Sequence, residues 1–388
     1  MAFQLSEIRV IDTDSHIIEP ADLWSARMPK KWVDQAPKPD TDENGQTRWR
    51  VGDTWLSTVG FYGWAGWKDF MPNMPAEYSD LEPGALHSNE RLTRMDDLGI
   101  WAQVLYPNIV GFESATIMKL DGPVALACIQ TYNDWLIEYA EADPKRFIPI
   151  AMIPFWDVDA AVTEVRRCRD LGHRGILFGN RYESVGLPMF TDRHWDPIYT
   201  AAEEMDLSIN FHVAFQVTAE TAAQAMRASL ARFDPRAAAL GTSLSLMSNS
   251  ETIARLVCSD LCERFPSLDF VSVESGFGYV PYLLECLDWH WKGYGVVRDH
   301  PMLPSEYFRR QVYGSMWFET TTLPLLEVYP DNFMFETDYP HPTSLSPGPA
   351  SYADKPSDHI QANWQNVPPE IARKVLHDNA ARVYRWES

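Results

Sequence analysis

Near its amino terminus the sequence reads Val10-Ile11-Asp12-Thr13-Asp14-Ser15-His16, an apolar run that leads straight into an acid and a histidine. Side chains two residues apart on a β-strand point to the same side. Asp14 and His16 are therefore expected to reach one point just beyond the end of the first strand. A carboxylate and an imidazole that converge in this way form half of a divalent-metal site.

Two later strands are predicted to end in residues of the same chemical kind. The apolar segment 207–211 is followed by His212, and the apolar segment 332–337 is followed by Asp338. Strand ends so far apart in sequence meet at one face when parallel strands close into a barrel. Two imidazoles and two carboxylates suit one Zn²⁺, Fe²⁺ or Mn²⁺ ion, and the sequence does not choose among them. The predicted metal ligands are Asp14, His16, His212 and Asp338.

Eight apolar segments alternate with helical patterns along the rest of the chain. The predicted strands are 7–15, 103–107, 146–154, 175–178, 207–211, 268–274, 315–320 and 332–337. The predicted helices are 88–98, 122–142, 157–171, 197–205, 249–265 and 281–291, with closing helices in 355–386. This alternation predicts one α/β domain over residues 1–388, a (β/α)8 TIM-like barrel. An open doubly wound sheet is disfavoured because no Gly-x-Gly-x-x-Gly follows the first strand.

Residues 27–90 do not fit the barrel pattern and are predicted to be an aromatic-rich insertion after strand one. Repeated prolines break helices there, and residues 47–56 are typical of a hairpin. The glycine-spaced aromatic stretch 60–67 leaves the chain near the predicted ligands, so we expect a lid over the site, with Trp64 and Trp67 lining the substrate pocket. A packing loop or a dimer contact is the alternative.

Composition limits the possible partners. The formal net charge of −21 argues against nucleic acid, whose phosphates need a basic surface. No apolar run approaches the roughly 18 residues of a membrane helix, and residues 1–7 lack the basic and apolar parts of a signal peptide. Five cysteines form no Cys-x-x-Cys pair. We therefore expect a cytoplasmic protein that acts on a small molecule and forms a homo-oligomer, a dimer.

The motifs together resemble the amidohydrolase superfamily. They are the Asp-x-Asp-x-His-x-x-Glu-Pro start at 12–20, the mid-chain His212, and Thr337-Asp338-Tyr339-Pro340-His341. The similarity covers nearly the whole chain outside the insertion. It is greatest to the amidohydrolase-related branch, which includes aminocarboxymuconate-semialdehyde and resorcylate decarboxylases as well as hydrolases. The first motif is usually His-x-His, so Asp14-x-His16 makes this site more anionic.

The resemblance suggests further roles at the same face. Glu274 ends strand six, where many relatives carry a proton-transferring histidine, so it either takes that role or orients a ligand. His341 is expected to donate to the substrate or to metal-bound water, and Asp338 to accept a proton. Residues after strands two and four are candidate substrate contacts, with Arg181 as a carboxylate clamp, although loop residues of these types are also common without function: Tyr106, Asn180 and Arg181.

The first expectation for activity is a metal-dependent hydrolase that uses a metal-activated water on a bulky or aromatic ester, thioester, amide or lactone. The alternative is a non-oxidative, metal-dependent decarboxylase of an aromatic or unsaturated acid. A catalytically inactive binding protein of the same fold is disfavoured by the complete ligand set. One metal ion is expected, because strand four (175–179) lacks the lysine that bridges two metals in other branches.

Overall fold

A central sheet of parallel strands dominates the computed structural model, which describes residues 4–215 and 233–386. The strands are β1 (Ile11–His16), β2 (Lys38–Thr41), β3 (Thr47–Val51), β4 (Thr54–Thr58), β5 (Ala102–Tyr106), β6 (Phe147–Met152), β7 (Gly175–Leu177), β8 (Ser208–His212), β9 (Phe270–Val273), β10 (Val312–Met316) and β11 (Phe333–Phe335). Eight of them form one sheet in the order β1-β5-β6-β7-β8-β9-β10-β11. Each pairs in parallel with the next, and their residues are almost entirely buried.

The first and last strands of this sheet join directly beyond their carboxyl ends. Ser15 forms a parallel bridge with Tyr339. The His16 N–H donates to the Tyr339 carbonyl at 2.7 Å, and the Asp338 N–H donates to the Asp14 carbonyl at 2.9 Å. The predicted barrel is therefore confirmed, and its closing seam lies where three predicted ligands leave the strands.

Helices connect the strands and cover the barrel. Their bounds are Leu23–Arg27, Val59–Tyr62, Pro83–Leu86, Ser88–Leu98, Ile109–Phe112, Ser114–Ile117, Gly122–Ala140, Val158–Leu171, Asp196–Glu204, Pro235–Leu246, Asn249–Cys258, Leu261–Arg264, Val280–Gly293, Pro304–Gln311, Pro356–Asn363, Pro369–Arg373 and Asn379–Val383. The local sequence sets such bounds: Asp157 accepts the Ala160 N–H at the start of one helix, and Gly172 at φ +115° ends it. Among the residues described, no helix has the length and apolarity needed to cross a membrane.

Several predicted bounds differ from the structure, those of strand seven and of the helix 249–265 among them. Strand seven lies at Val312–Met316, three residues earlier than predicted, because Trp317 and Phe318 already belong to the loop beyond the sheet, where Phe318 is 52% exposed. The predicted helix 249–265 ends at Cys258 and resumes at Leu261. The interruption comes from Ser259, whose extended backbone lets its hydroxyl accept the Leu261 N–H.

The insertion after β1 carries its own small antiparallel sheet of β2, β3 and β4. The predicted hairpin is its β3–β4 pair, which turns at Gly52 with φ +55°. Trp49 of β3 packs edge-on against the buried Trp24. The N–H groups of Trp64 and Ala65 both donate to the Pro340 carbonyl, at 2.8 and 2.9 Å. These two hydrogen bonds connect the insertion to the loop that follows β11.

Candidate metal centre

The four predicted ligands converge above the carboxyl ends of β1, β8 and β11. His16 Nε2 lies 3.0 Å from His212 Nε2, and each of these nitrogens lies 3.4 Å from Asp14 Oδ1. Asp338 Oδ1 lies 3.8 Å from His16 Nε2. All four side chains are at most 1% exposed. Asp14, His16 and His212 thus offer three ligand atoms to one point inside the protein.

The unpaired atoms of this cluster fit a divalent cation. Both carboxylate oxygens of Asp14 are buried without a hydrogen-bond partner, and Asp338 Oδ1 has only ion-pair contacts among the residues described, the nearest with His341 Nδ1 at 3.0 Å. A buried carboxylate oxygen without a hydrogen bond is energetically unfavourable unless a cation lies next to it. Ligand atoms at about 2.1 Å from a metal lie about 3.0–3.4 Å from one another in octahedral or tetrahedral geometry, which matches the spacing of Asp14, His16 and His212. The prediction of one divalent metal ion is therefore confirmed by the donor set.

The local electrostatics also favour a cation. His212 Nδ1 lies 2.6 Å from the Val213 carbonyl, which turns Nε2 toward Asp14, as is usual for metal-binding histidines. Burial opposes ionisation of Asp14, but His212 and His16 hold its pKa below its ordinary value. The carboxylate of Asp14 in turn raises the pKa of His212 despite the burial of that imidazole.

Asp12 supports the ligands from deeper in the barrel, as its spacing from Asp14 suggests. Its carboxylate accepts from Gln103 Nε2 at 2.8 Å and from the Thr337 N–H at 2.8 Å. It also accepts the Asp14 N–H at 3.2 Å. Burial raises the pKa of Asp12 to about 7. These bonds connect β1 to β5 and to the segment after β11, which fixes the backbone that carries Asp14.

Two further predicted groups flank Asp338. His341 Nδ1 lies 3.0 Å from Asp338 Oδ1, and its ring stacks on His16 with centroids 3.8 Å apart. Glu274 Oε2 lies 3.7 Å from His212 Nδ1. Burial, and then repulsion from Asp338 and Asp14, raises the pKa of Glu274 well above its ordinary value. Each group therefore contacts a predicted ligand and sits where it can exchange a proton with the site.

A hydroxyl that sequence reasoning missed joins the two acids. Thr343 Oγ1 bonds to Asp338 Oδ2 and lies 3.3 Å from Glu274 Oε1. A hydroxyl has one hydrogen to donate, so it donates to one carboxylate and can only accept from the other. Thr343 follows Asp338 by five residues in an irregular loop, and no spacing rule in the sequence points to it.

Aromatic rings cover the histidines from the mouth side. The half-buried Phe112 ring lies 5.5 Å from His16, 5.4 Å from His212 and 5.9 Å from His341. Tyr62 of the insertion stacks on Phe112 at 5.8 Å and lies 5.8 Å from His341. The sequence-based prediction included Tyr62 in the aromatic stretch but assigned the pocket to Trp64 and Trp67, and it missed Phe112 entirely.

The two tryptophans predicted to line the pocket have other contacts. Trp64 is buried and bonds through its backbone to Pro340, which precedes His341. Trp67 Nε1 donates to the Asn73 carbonyl at 2.6 Å, within the insertion. Their predicted role as substrate contacts thus rests on the position of the stretch and not on a contact with the cluster.

The remaining substrate-contact candidates are placed differently from one another. Tyr106 is fully buried, with its ring 5.5 Å from His212 and its hydroxyl bonded to Asn210. Asn180 donates to Asn249 and Thr252. Arg181 pairs with Glu251 at 3.0 Å and is 45% exposed. The structure brings only Tyr106 into contact with the predicted ligands, and the carboxylate clamp at Arg181 gains no support from its contacts.

Comparison with known proteins agrees with the geometry. A family model described as amidohydrolase matches residues 11–386. A γ-resorcylate decarboxylase from Polaromonas sp. (strain JS666 / ATCC BAA-500) is 24% identical over 303 residues, 74% of this chain and 84% of that protein. A solved amidohydrolase from Mycobacterium avium subsp. paratuberculosis K-10 superposes with a TM-score of 0.73 at 22% identity, over 97% of this chain and 99% of that one.

A second solved structure carries a metal. It is a dihydroxybenzoic acid decarboxylase from Polaromonas sp. JS666 with bound manganese and an inhibitor, 2-nitroresorcinol. It superposes with a TM-score of 0.61 at 18% identity, over 97% of this chain and 96% of that one.

The prediction of a hydrolase is contradicted by these comparisons, because the relatives whose names state a reaction are decarboxylases. The motifs could not separate the two activities, since both use the same barrel and the same ligand types. The family itself follows from the match over residues 11–386, which includes every predicted ligand. The chain belongs to the amidohydrolase family.

Proposed function

We propose that this protein is a metal-dependent, non-oxidative decarboxylase of hydroxylated aromatic carboxylic acids. The observation that carries the proposal is the pairing of a buried Asp/His metal cluster with two adjacent groups able to deliver a proton, Glu274 and the Asp338–His341 pair. Replacement of a carboxylate by hydrogen needs a proton donor, and a metal ion beside that donor can hold the carboxylate in place. The activities of the similar decarboxylases support the same conclusion.

The wall above the cluster suits a flat ring. Phe112 and Tyr62 stack nearly parallel, with 12° between their planes, and both lie near the His341 imidazole. An aromatic substrate beside them gains apolar burial and ring contacts of about 0.5–1.5 kcal/mol each. This arrangement favours an aromatic acid over a small aliphatic one.

Four side chains would hold the metal, which we propose to be manganese by analogy with the similar decarboxylase structure. When bound, the ion supplies a positive charge that attracts the substrate carboxylate and a neighbouring hydroxyl. Its ligands would be Asp14, His16, His212 and Asp338.

The protein's own groups handle the proton. We assign one shared proton to Asp338 Oδ1 and His341 Nδ1, which lie 3.0 Å apart. It passes to the ring carbon that bears the carboxylate. The bond from that carbon to the carboxylate then breaks, its electron pair returns to the ring, and CO₂ leaves. Glu274, 7% exposed and joined to Asp338 through Thr343, replaces the proton from solvent. The balance is one aromatic carboxylate and one proton giving one arene and CO₂.

The test is direct. Protein loaded with Mn²⁺ is incubated in D₂O with 2,6-dihydroxybenzoate, salicylate and their methyl esters. We expect CO₂ release from a free acid and one deuterium at the carbon that lost it. Ester cleavage without CO₂ release, or no CO₂ from any hydroxylated aromatic acid tried, would overturn the proposal.

A further inference from the structure

Asn108 lies in the loop after β5 and makes a contact that the metal cluster itself does not require. The residue is fully buried. Its backbone N–H donates to Glu19 Oε1 at 2.9 Å, and the Ile109 N–H donates to the same oxygen at 2.8 Å. Glu19 is 1% exposed and follows β1. The loop after β1 thus fixes the backbone from which the Asn108 side chain extends.

The orientation of the Asn108 amide is determined by its partners. Its Nδ2 donates to the Ile17 carbonyl at 2.8 Å, and a carbonyl can only accept. The amide therefore cannot be reversed, and Oδ1 faces His341 Nε2 at 2.8 Å. Because an amide oxygen accepts and never donates, the hydrogen in this second bond belongs to His341 Nε2.

This bond decides which nitrogen of His341 faces the metal site. With Nε2–H directed at Asn108, Nδ1 is the nitrogen 3.0 Å from Asp338 Oδ1. Turning the ring by half a turn would put carbon atoms in both places and lose both contacts. The His341 ring stacks on His16 with 20° between the two planes. This stacking fixes the plane of the His341 ring but not which of its edges faces Asp338.

We infer that Asn108 is a positioning residue, whose side-chain oxygen holds the hydrogen of His341 on Nε2 and directs Nδ1 at Asp338. The inference rests on the proposed function, because decarboxylation is what gives the Asp338–His341 pair a proton to deliver. Asn108 acts through His341 and has no part in binding the metal. Groups that orient active-site side chains in this way affect activity about 10- to 100-fold.

The experiment uses two variants of Asn108 and one control. Asn108→Leu keeps the size of the side chain and removes the acceptor. Asn108→Asp keeps an acceptor oxygen facing His341, and its other oxygen has to carry a proton to replace the Nδ2 donor to the Ile17 carbonyl. Asn379→Leu removes a fully buried amide whose partners among the described residues are the Pro330 and Phe333 carbonyls and Arg382.

The first readout is independent of activity. Metal-free protein labelled with ¹⁵N in its histidine rings is examined by NMR, and His341→Gln identifies the His341 signals. We expect a protonated Nε2, protected from exchange, in the unsubstituted protein, in Asn108→Asp and in the control. Asn108→Leu should lose that protection. Unchanged His341 signals in Asn108→Leu would overturn the inference, whatever the activity.

The second readout is kinetic, with manganese bound. Asn108→Leu should lower kcat about 10- to 100-fold with KM and metal content unchanged, and Asn108→Asp should recover most of the loss. An equal loss in the control would overturn the positioning role, because it would show general loosening of the fold. Absence of decarboxylation in the unsubstituted protein would overturn the proposed function, and the NMR result would still decide the position of His341.

Discussion

Two of the acids at the centre share a backbone conformation that side-chain-bearing residues rarely adopt. Glu274 has φ +54° and Asp338 has φ +55°, both in the left-handed region. Hydrogen bonds offset this strain: the Glu274 N–H donates to Ser315 Oγ and Glu336 Oε2, and the Asp338 N–H donates to the Asp14 carbonyl. Strain held in this way is typical of functional sites. Both carboxylates are therefore fixed before any substrate arrives.

Glu274 offers the sharpest prediction at this scale. Glu274→Gln keeps the shape of the side chain and removes its exchangeable acid, so turnover should fall about 100-fold or more, as expected for a proton-transfer group. The metal content of the purified variant should stay near that of the unsubstituted protein, since the variant keeps all four predicted ligands. Steady-state kinetics and elemental analysis give the two numbers. A loss of metal in parallel with turnover would place Glu274 among the ligands.

At the scale of elements, the sequence predicts the strands and the residues at their ends, because these follow from hydrophobic periodicity. Apolar runs followed by polar residues located β1, β8 and β11 and the side chains at their ends, because parallel strands all point to one face. Loop contacts escaped prediction. Phe112 ends a four-residue helix, and Thr343 and the Asn108–His341 bond lie in loops, so these groups meet only in three dimensions. The activity was not predicted correctly either, since hydrolysis and decarboxylation use the same types of metal ligand.

The insertion meets the centre through Tyr62, and this contact can be tested. Tyr62→Ala removes the ring that stacks on Phe112 and should raise KM for an aromatic acid several-fold without changing metal content. Tyr62→Phe keeps the ring and should behave nearly as the unsubstituted protein. Trp67→Ala is the matched control, because the Trp67 ring nitrogen bonds within the insertion, to the Asn73 carbonyl. A larger KM effect from Trp67→Ala would instead support its predicted place in the pocket.

The contact between the loop after β1 and the loop after β5 predicts a pH effect on stability. Burial raises the pKa of Glu19 from 4.5 to about 7. As pH rises between these values the unfolded chain releases the proton first, so the contribution of Glu19 to stability is greatest below the lower value and declines toward the higher one. The full decline is of order 3 kcal/mol, at about 1.4 kcal/mol per pKa unit.

Glu19→Gln removes this titration and keeps an oxygen that can accept from the Asn108 and Ile109 N–H groups. Relative to the variant, the unsubstituted protein should therefore lose stability between about pH 5 and about pH 8. Urea unfolding of both proteins at the two pH values measures the difference. Parallel pH dependences would show that Glu19 does not titrate in this range.

At the scale of the whole molecule, negative charge is both spread over the surface and concentrated at the centre. The chain carries a net charge of −21, which opposes compaction. Asp14, Glu274 and Asp338 each place a carboxylate oxygen within 4.8 Å of the others, and all three are buried. Asp12 and Glu336 are also fully buried near them. A divalent cation bound among these carboxylates would reduce their mutual repulsion in the folded protein.

The ligands also connect distant parts of the barrel. Asp14 and His16 come from β1 and Asp338 follows the neighbouring β11, whereas His212 comes from β8, three strands away from β11 in the sheet order. A metal held by all of them links the closing seam to another part of the wall. Because the unfolded chain does not present this arrangement, the metal should stabilise the whole barrel, by about 2.7 kcal/mol when its free concentration is 100 times Kd.

Chelation should therefore lower the Tm of the unsubstituted protein by several degrees, and added Mn²⁺ should restore it. His16→Ala and His212→Ala should each bind far less metal, and their Tm should hardly respond to chelator, because the link between β1 and β8 is lost. His194→Ala is the matched control, since His194 is exposed, and it should respond as the unsubstituted protein does. Differential scanning calorimetry with elemental analysis of each sample decides the matter. Full metal content in His212→Ala, or a Tm shift as large as that of the control, would remove His212 from the ligand set and with it the connection across the barrel.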